Sequence, residues 1–157
     1  MADLVFNVAK GKVNAYHDRV VDNDPANSAL IVVLLKTAPS DATLRDLDTL
    51  DAILTGGGVE ADFTNYARKT LTDAVLSASA VDDVNDRREA DFPDQTWTSA
   101  GGGTNNTLAK LIVCYDPDTT GGTDAALIPL TAHDFVVTTN GGDITAQPSA
   151  SGYFRAS

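Results

Sequence analysis

Hydrophobic and polar positions along this chain fall into short segments whose period keeps changing. From Lys12 to Val20 the chain reads Lys-Val-Asn-Ala-Tyr-His-Asp-Arg-Val. That alternation predicts a strand with Val13, Ala15 and His17 on one face and Asn14, Tyr16 and Asp18 on the other. Asp22-Asn23-Asp24-Pro25 ends it, because Pro lacks a backbone donor and Asx side chains bond locally. Ala29 to Leu35 is then a continuous apolar run rich in β-branched residues, the pattern of a central strand covered on both faces. Pro39-Ser40-Asp41 offers caps, and Leu44, Leu47, Leu50 and Leu54 recur at helical spacing. The spacing predicts one short amphipathic helix near residues 41–54, ended by Gly56-Gly57-Gly58.

From Val59 onward strands and turns alternate. Strands are expected over Thr70–Ser77, Arg87–Phe92, Thr96–Thr98 and Leu108–Tyr115, the last placing Ala109, Leu111, Val113 and Tyr115 opposite Leu108, Lys110, Ile112 and Cys114. Asp82–Asp86, Ala100–Asn106 and Asp116–Gly122 read as turns. Further strands are expected at Ala126–Leu130, Ala132–Thr138 and Asp143–Gln147, with Pro129 marking an edge or a bulge. About eight short strands separated by turns predict a mainly β chain, an antiparallel β-sandwich or small barrel, jelly-roll-like, with one helix. The 157 residues suit a single β-rich domain. Within it, residues 1–58 form amino-terminal strands plus the helix, and 148–157 form a tail rich in Ser and Ala.

Composition sharpens this picture. Eleven basic residues face 22 acidic ones, for a formal charge of -11, and all but two of the acids are Asp. Asp favours turns and caps over helix interiors, in keeping with many short elements. Such a charge repels phosphate backbones and anionic lipids, so neither nucleic acid nor a membrane is an expected partner. One Cys excludes an internal disulfide framework. The opening Met-Ala-Asp-Leu has neither a basic region nor a leader-length apolar run, and the Ala29–Leu35 run is too short to cross a bilayer.

Candidate chemistry is sparse. His17 and His133 are distant in sequence and match no ligand spacing, which favours structural histidines over a metal site. Cys114 lies in an apolar strand, the setting of a small buried hydrophobe. Asp116, Asp118, Thr120, Gly121 and Asp124 partly match a calcium loop, but Leu127 stands where a bidentate Glu is needed, so solvated turn carboxylates are expected. No nucleophile elbow, phosphate-binding loop or dinucleotide fingerprint occurs. Among so many Asp residues no catalytic pair can be singled out. Neither an enzyme nor a cofactor is expected, and no catalytic or metal-binding residue is assigned. Arg87 and Arg88, the one adjacent basic pair, either dock on a neighbouring subunit or satisfy Asp82, Asp83 or Asp86 at home. Hydrophobes near the chain ends, Phe6 in Asp3–Val8 and Tyr153 with Phe154, either pack on the protein's own sheet or dock on a neighbour.

Two stretches carry a resemblance. Ala61-Asp62-Phe63-Thr64-Asn65-Tyr66-Ala67-Arg68-Lys69-Thr70-Leu71 is followed by Asp82-Asp83-Val84-Asn85-Asp86-Arg87-Arg88. Thr96-Trp97-Thr98-Ser99-Ala100-Gly101-Gly102-Gly103 is followed by Leu111-Ile112-Val113-Cys114-Tyr115-Asp116. Their order resembles small virion proteins of tailed bacteriophages, the accessory head, minor capsid or decoration proteins, over residues 59–147. The strand and Leu-rich helix before it look like versions from phages of actinobacteria. The resemblance implies a non-enzymatic subunit on the capsid exterior, made in the host bacterial cytoplasm. Its implied partners are the virion's major capsid protein and further copies of itself, as a dimer or trimer. Phe6, Arg87, Arg88, Tyr153 and Phe154 are the interface candidates. A tail or connector component is the alternative within the virion. A carbohydrate-binding β-sandwich on a fibre is another, resting on Trp97 beside Gly101–Gly103.

Overall fold

The computed structural model describes residues 4–157, so Asp3 and the first residues of the leader reading lie outside it. Its centre is β2 (Ala29–Thr37), the continuous apolar run. β2 pairs antiparallel with β8 (Lys110–Asp116) in unbroken register from Ala29 against Asp116 to Leu35 against Lys110. Beyond β8 lie β9 (Ile128–Asp134) and the short β1 (Leu4–Val5). On the other side of β2 sit β3 (Val59–Glu60) and β4 (Lys69–Leu71). Two smaller antiparallel sheets complete the domain. One pairs β7 (Gln95–Trp97) with β10 (Ile144–Ala146), and the other orders β11 (Phe154–Ala156), β6 (Arg87–Ala90) and β5 (Ala80–Asp82).

Alternation along β2 explains why it is apolar throughout. Leu30, Val32 and Leu34 join one core with Val113, Tyr115, Trp97 and Phe92, while Ile31, Val33 and Leu35 join a second with Ile112, Cys114 and Phe6. The central sheet is thus buried on both faces, as its sequence demands. The two faces expected for the second-half strand hold from Leu111 to Tyr115, with Leu111, Val113 and Tyr115 in the first core and Ile112 and Cys114 in the second; Leu108, expected with Ile112 and Cys114, lies before β8 and packs in the first core instead. The domain is a mixed one, with several antiparallel sheets and, among the described residues, three short α-helices.

The first of those helices corrects the strand expected over Lys12–Val20. α1 spans Val13–Val21, and its buried positions Val13, His17 and Val20 recur at helical spacing. Ala15, which alternation placed with them, is exposed. The segment satisfies both periods, and packing of the Val13–His17–Val20 stripe against the core decides between them. The helix expected over 41–54 is divided into α2 (Asp41–Leu44) and α3 (Leu50–Thr55). Ser40 and Thr49 each cap one, accepting from Thr43 N and Ala52 N. The break persists because Leu50 N and Asp51 N donate to the Leu127 and Asp124 carbonyls, tying the second start to a distant loop. Gly56–Gly58 stop α3 as expected, with Gly58 N donating to Ile53 O.

Other boundaries shift for equally local reasons. The strand expected over Thr70–Ser77 ends at Leu71, because Thr72 O accepts from both Val75 N and Leu76 N and turns the chain. The two strands expected at Ala126–Leu130 and Ala132–Thr138 are one, β9. Its register slips between Val113 opposite Thr131 and Cys114 opposite Pro129, so Pro129 marks a bulge. The terminal tail contains β11.

Candidate functional site

Most of the residues that carry the sequence resemblance fasten loops around β2, while Asp82–Arg88 lies apart in the β5–β6 hairpin. Arg68 is the centre of this cluster. Its Nε and Nη2 donate to Glu60 at 2.8 and 2.6 Å, while Nη1 and Nη2 donate to Asp124 at 2.5 and 3.0 Å. Tyr66 Oη donates to Glu60 Oε1 at 2.8 Å and accepts from Leu34 N at 3.2 Å. One guanidinium therefore joins β3, the approach to β4 and the loop before β9. Its hydrogen bonds hold the Asp124 carboxyl below the usual carboxylate range. Burial pushes the Tyr66 phenol up, so it stays protonated as a donor.

The remaining motif residues extend the same fastening. Trp97 is 1% exposed and its Nε1 donates to Ala67 O at 2.8 Å. The Lys69 ammonium lies 5.1 Å from the indole centroid and donates to Thr96 O at 2.7 Å. Asn65 Nδ2 donates to Ser99 O, and Thr64 accepts from Thr104 N and, through its carbonyl, from Gly101 N. Gly101 has φ +92, and a Cβ there would sit 2.3 Å from Asn105 Oδ1, so only glycine makes this turn. Asn106 Nδ2 donates to Asp62, which Lys36 also holds at 2.7 Å. Those hydrogen bonds, from Lys36 and then Asn106, keep the Asp62 carboxyl low. With Trp97 enclosed, the aromatic behind the carbohydrate alternative faces the core.

Arg87 bonds its own hairpin, with Nε at 2.8 Å from Asp82 and 3.2 Å from Glu89. Arg88 reaches α1, donating to Asp18 Oδ2 at 2.5 Å and to Ser79 Oγ at 2.6 Å. Asp18 also accepts from Ser79 N. Phe6 is fully buried in the second core beside Leu44 and Leu50. Tyr153 is 5% exposed, stacked near Phe92 and His17, while Phe154 is half-buried.

His17 is fully buried: its Nε2 donates to Ser77 O at 2.7 Å, and its Nδ1 lies 3.3 Å from Tyr153 Oη. In the neutral ring this makes Nδ1 the acceptor of the phenol proton. Burial, with the charges of Asp18 and Asp91 nearby, pushes the Tyr153 phenol up and keeps that proton in place. His133 sits on β9 with Nε2 at 2.9 Å from Thr131 Oγ1. Cys114 is fully buried, and burial pushes its thiol up, away from the reactive thiolate. In the calcium-like loop Asp116 accepts from Asp118 N, Asp118 accepts from Thr120, and Asp124 turns to Arg68. No group of three or more His, Cys, Asp or Glu among the described residues could hold a metal ion.

The sequence gives no sign of the Asp18–Ser79–Arg88 clasp or the His17–Tyr153 contact, because their partners lie far apart along the chain. The large hydrophobic residues exposed among the described residues are Val59, Val75, Val81, Val84 and Val136, with Val84 91% exposed at the β5–β6 turn. No described helix is long and apolar enough to cross a membrane. No family model, curated protein or solved structure matches the chain.

Proposed function

We propose that this chain is a non-enzymatic structural subunit of a bacteriophage virion, seated on the outer surface of the capsid as a decoration or minor capsid protein. One observation carries the reading. The residues of the phage-like motifs, Asn65, Tyr66, Arg68, Trp97 and Gly101, all bind neighbouring loops and build a scaffold. A scaffold fastened this tightly suits a subunit whose task is to hold a shape. The charge of -11 keeps free copies apart before assembly, and repeated contacts on a shell then multiply weak binding. In this reading the sheets pack as an open sandwich, and the partner is the major capsid protein of the same particle.

Sedimentation of the purified chain with capsids that lack it tests the proposal. The expected result is saturable capture at a fixed ratio to the major capsid subunit. Capture by isolated tails and not by capsids would move the chain to the tail or connector, and capture by neither would overturn a virion role.

A further inference from the structure

Residues 149–157 are joined to the rest of the domain by few bonds. Gly152 N donates to Ser149 O at 2.8 Å and Ser149 Oγ to Gly152 O at 3.0 Å, closing a tight turn. Tyr153 N then donates to Ala90 O at 3.0 Å. The Tyr153 ring lies 5.1 Å from Phe92 and 5.9 Å from His17, centroid to centroid. β11 adds a three-residue ladder on β6, pairing Phe154 with Ala90, Arg155 with Glu89 and Ala156 with Arg88. Among the described residues no strand pairs with the outer edge of β11.

Open space lies on both sides of this strap. A cavity of about 430 Å³ is lined by Phe92, Leu111 and Phe135, and another of about 360 Å³ by Val5, Thr131 and Arg155. Both are bounded by Ser149, Gly152 and Tyr153. The strap's seat is built from α1, β6 and the residues just after β6, all distant in sequence. Only the covalent link through Gln147 and Pro148 and the small-residue turn Ser149-Ala150-Ser151-Gly152 fix which chain supplies it.

We propose that residues 149–157 form an exchangeable strand, accepted by a second copy of this chain on the same β6 edge, with Tyr153 of one copy entering the His17–Phe92 socket of the other. The seat itself selects this occupant. At the Gly152 position a Cβ would stand 2.2 Å from Ala90 O, and the φ of +74 also demands glycine. The next residue must bring a phenol to His17 Nδ1. A segment reading Gly-Tyr-Phe-Arg meets both demands, and a second copy supplies one. Docking within a chain and between chains uses the same contacts, so opening of the turn and the local concentration of copies set the balance. Crowding on an ordered surface therefore favours exchange, which converts weak neighbours into a linked array. The exchange itself is a property of the isolated protein, and only its consequence on an ordered surface rests on the virion reading.

Two chains that each carry one added cysteine test it: Glu89→Cys in one and Arg155→Cys in the other, at positions that face each other across the ladder. Native Cys114 is buried in the folded chain, and denaturation in excess alkylating reagent keeps its thiol from exchanging on the gel. The chains are mixed, equilibrated at millimolar and at micromolar concentration, oxidised mildly and resolved on a non-reducing denaturing gel. The double variant E89C/R155C reports docking within one chain. Internal closure of the double variant at micromolar concentration is expected, with a mixed-chain dimer at millimolar concentration in excess of the two like-chain dimers. That excess should vanish when Tyr153→Ala is added to the Arg155→Cys chain. Three results would overturn the proposal: no mixed dimer at either concentration, a mixed dimer that survives Tyr153→Ala, or failure of the double variant to close.

Discussion

Replacing Arg68 by Ala should cost this domain about 2 kcal/mol. The guanidinium makes four hydrogen bonds to two carboxylates, and Glu60 in turn orients Tyr66 on the backbone of β2. Exposed ion pairs contribute only about 0.2–1 kcal/mol, while breaking a fully buried pair costs about 3–5 kcal/mol. The three side chains are 30%, 23% and 34% exposed, between those limits and nearer the surface one, which places the loss near ~2 kcal/mol. In Arg68→Ala the Glu60 and Asp124 carboxylates also face each other without a shared cation. For a chain of this size the loss lowers Tm by about 4–8 °C. Arg68→Lys should recover less than half of it, since an ammonium cannot fork to both acids. Thermal melts of Arg68→Ala, Asp124→Asn and the double variant form a cycle whose coupling should reach about 1 kcal/mol. A fall of less than about 2 °C in Arg68→Ala, or coupling indistinguishable from zero, would refute the claim that this cluster fastens β3, β4 and the loop before β9.

Further outcomes follow from the same geometry. Cys114 should resist a thiol reagent in the folded protein and react only at the rate of global unfolding, as read by stopped-flow absorbance; rapid labelling under native conditions contradicts its placement between β2 and β9. Trp97→Phe keeps one aromatic ring but loses the pyrrole with its bond to Ala67 O and leaves a cavity in the core, and should cost at least about 1–2 kcal/mol in urea unfolding. Gly101→Ala should cost at least that much, through the left-handed backbone and the clash with Asn105, and a neutral result would show that the turn is misplaced. Stability should also fall in acid. Asp62, Asp82, Asp118, Asp124 and Asp134 are all held below the ordinary value of 3.8, so their contribution is complete above it and is lost as pH drops through the lower folded values. A urea midpoint equal at pH 7 and about pH 2.5 would contradict that.

What the sequence reveals about this protein depends on how local the cause is. The Ala29–Leu35 run announces a doubly buried strand because burial on both faces needs an unbroken apolar pattern. Pro129 announces its bulge, and Gly56–Gly58 their stop. The Lys12–Val20 segment misleads because its nine residues satisfy periods of both 2 and 3.6, and only the core that receives Val13 and Val20 chooses. The division of the 41–54 helix is invisible for a similar reason, since the bonds that start α3 come from Asp124 and Leu127. At the candidate site, Asp82 with Arg87 is legible because the partners are near neighbours. Arg68 with Asp124, Arg88 with Asp18 and Tyr153 with His17 are closed by the fold, and no pattern of spacing marks them.

The central proposal, that this chain is an accessory subunit on the outside of a phage head, is tested most directly by cryo-electron microscopy of virions from a phage whose genome carries its gene. Copy number relative to the major capsid subunit should be measured on the same preparation. The account predicts density for this domain repeated over the icosahedral shell, at a copy number comparable to that of the shell subunit. Density confined to the tail or connector, or absence of the chain from purified particles, would contradict it.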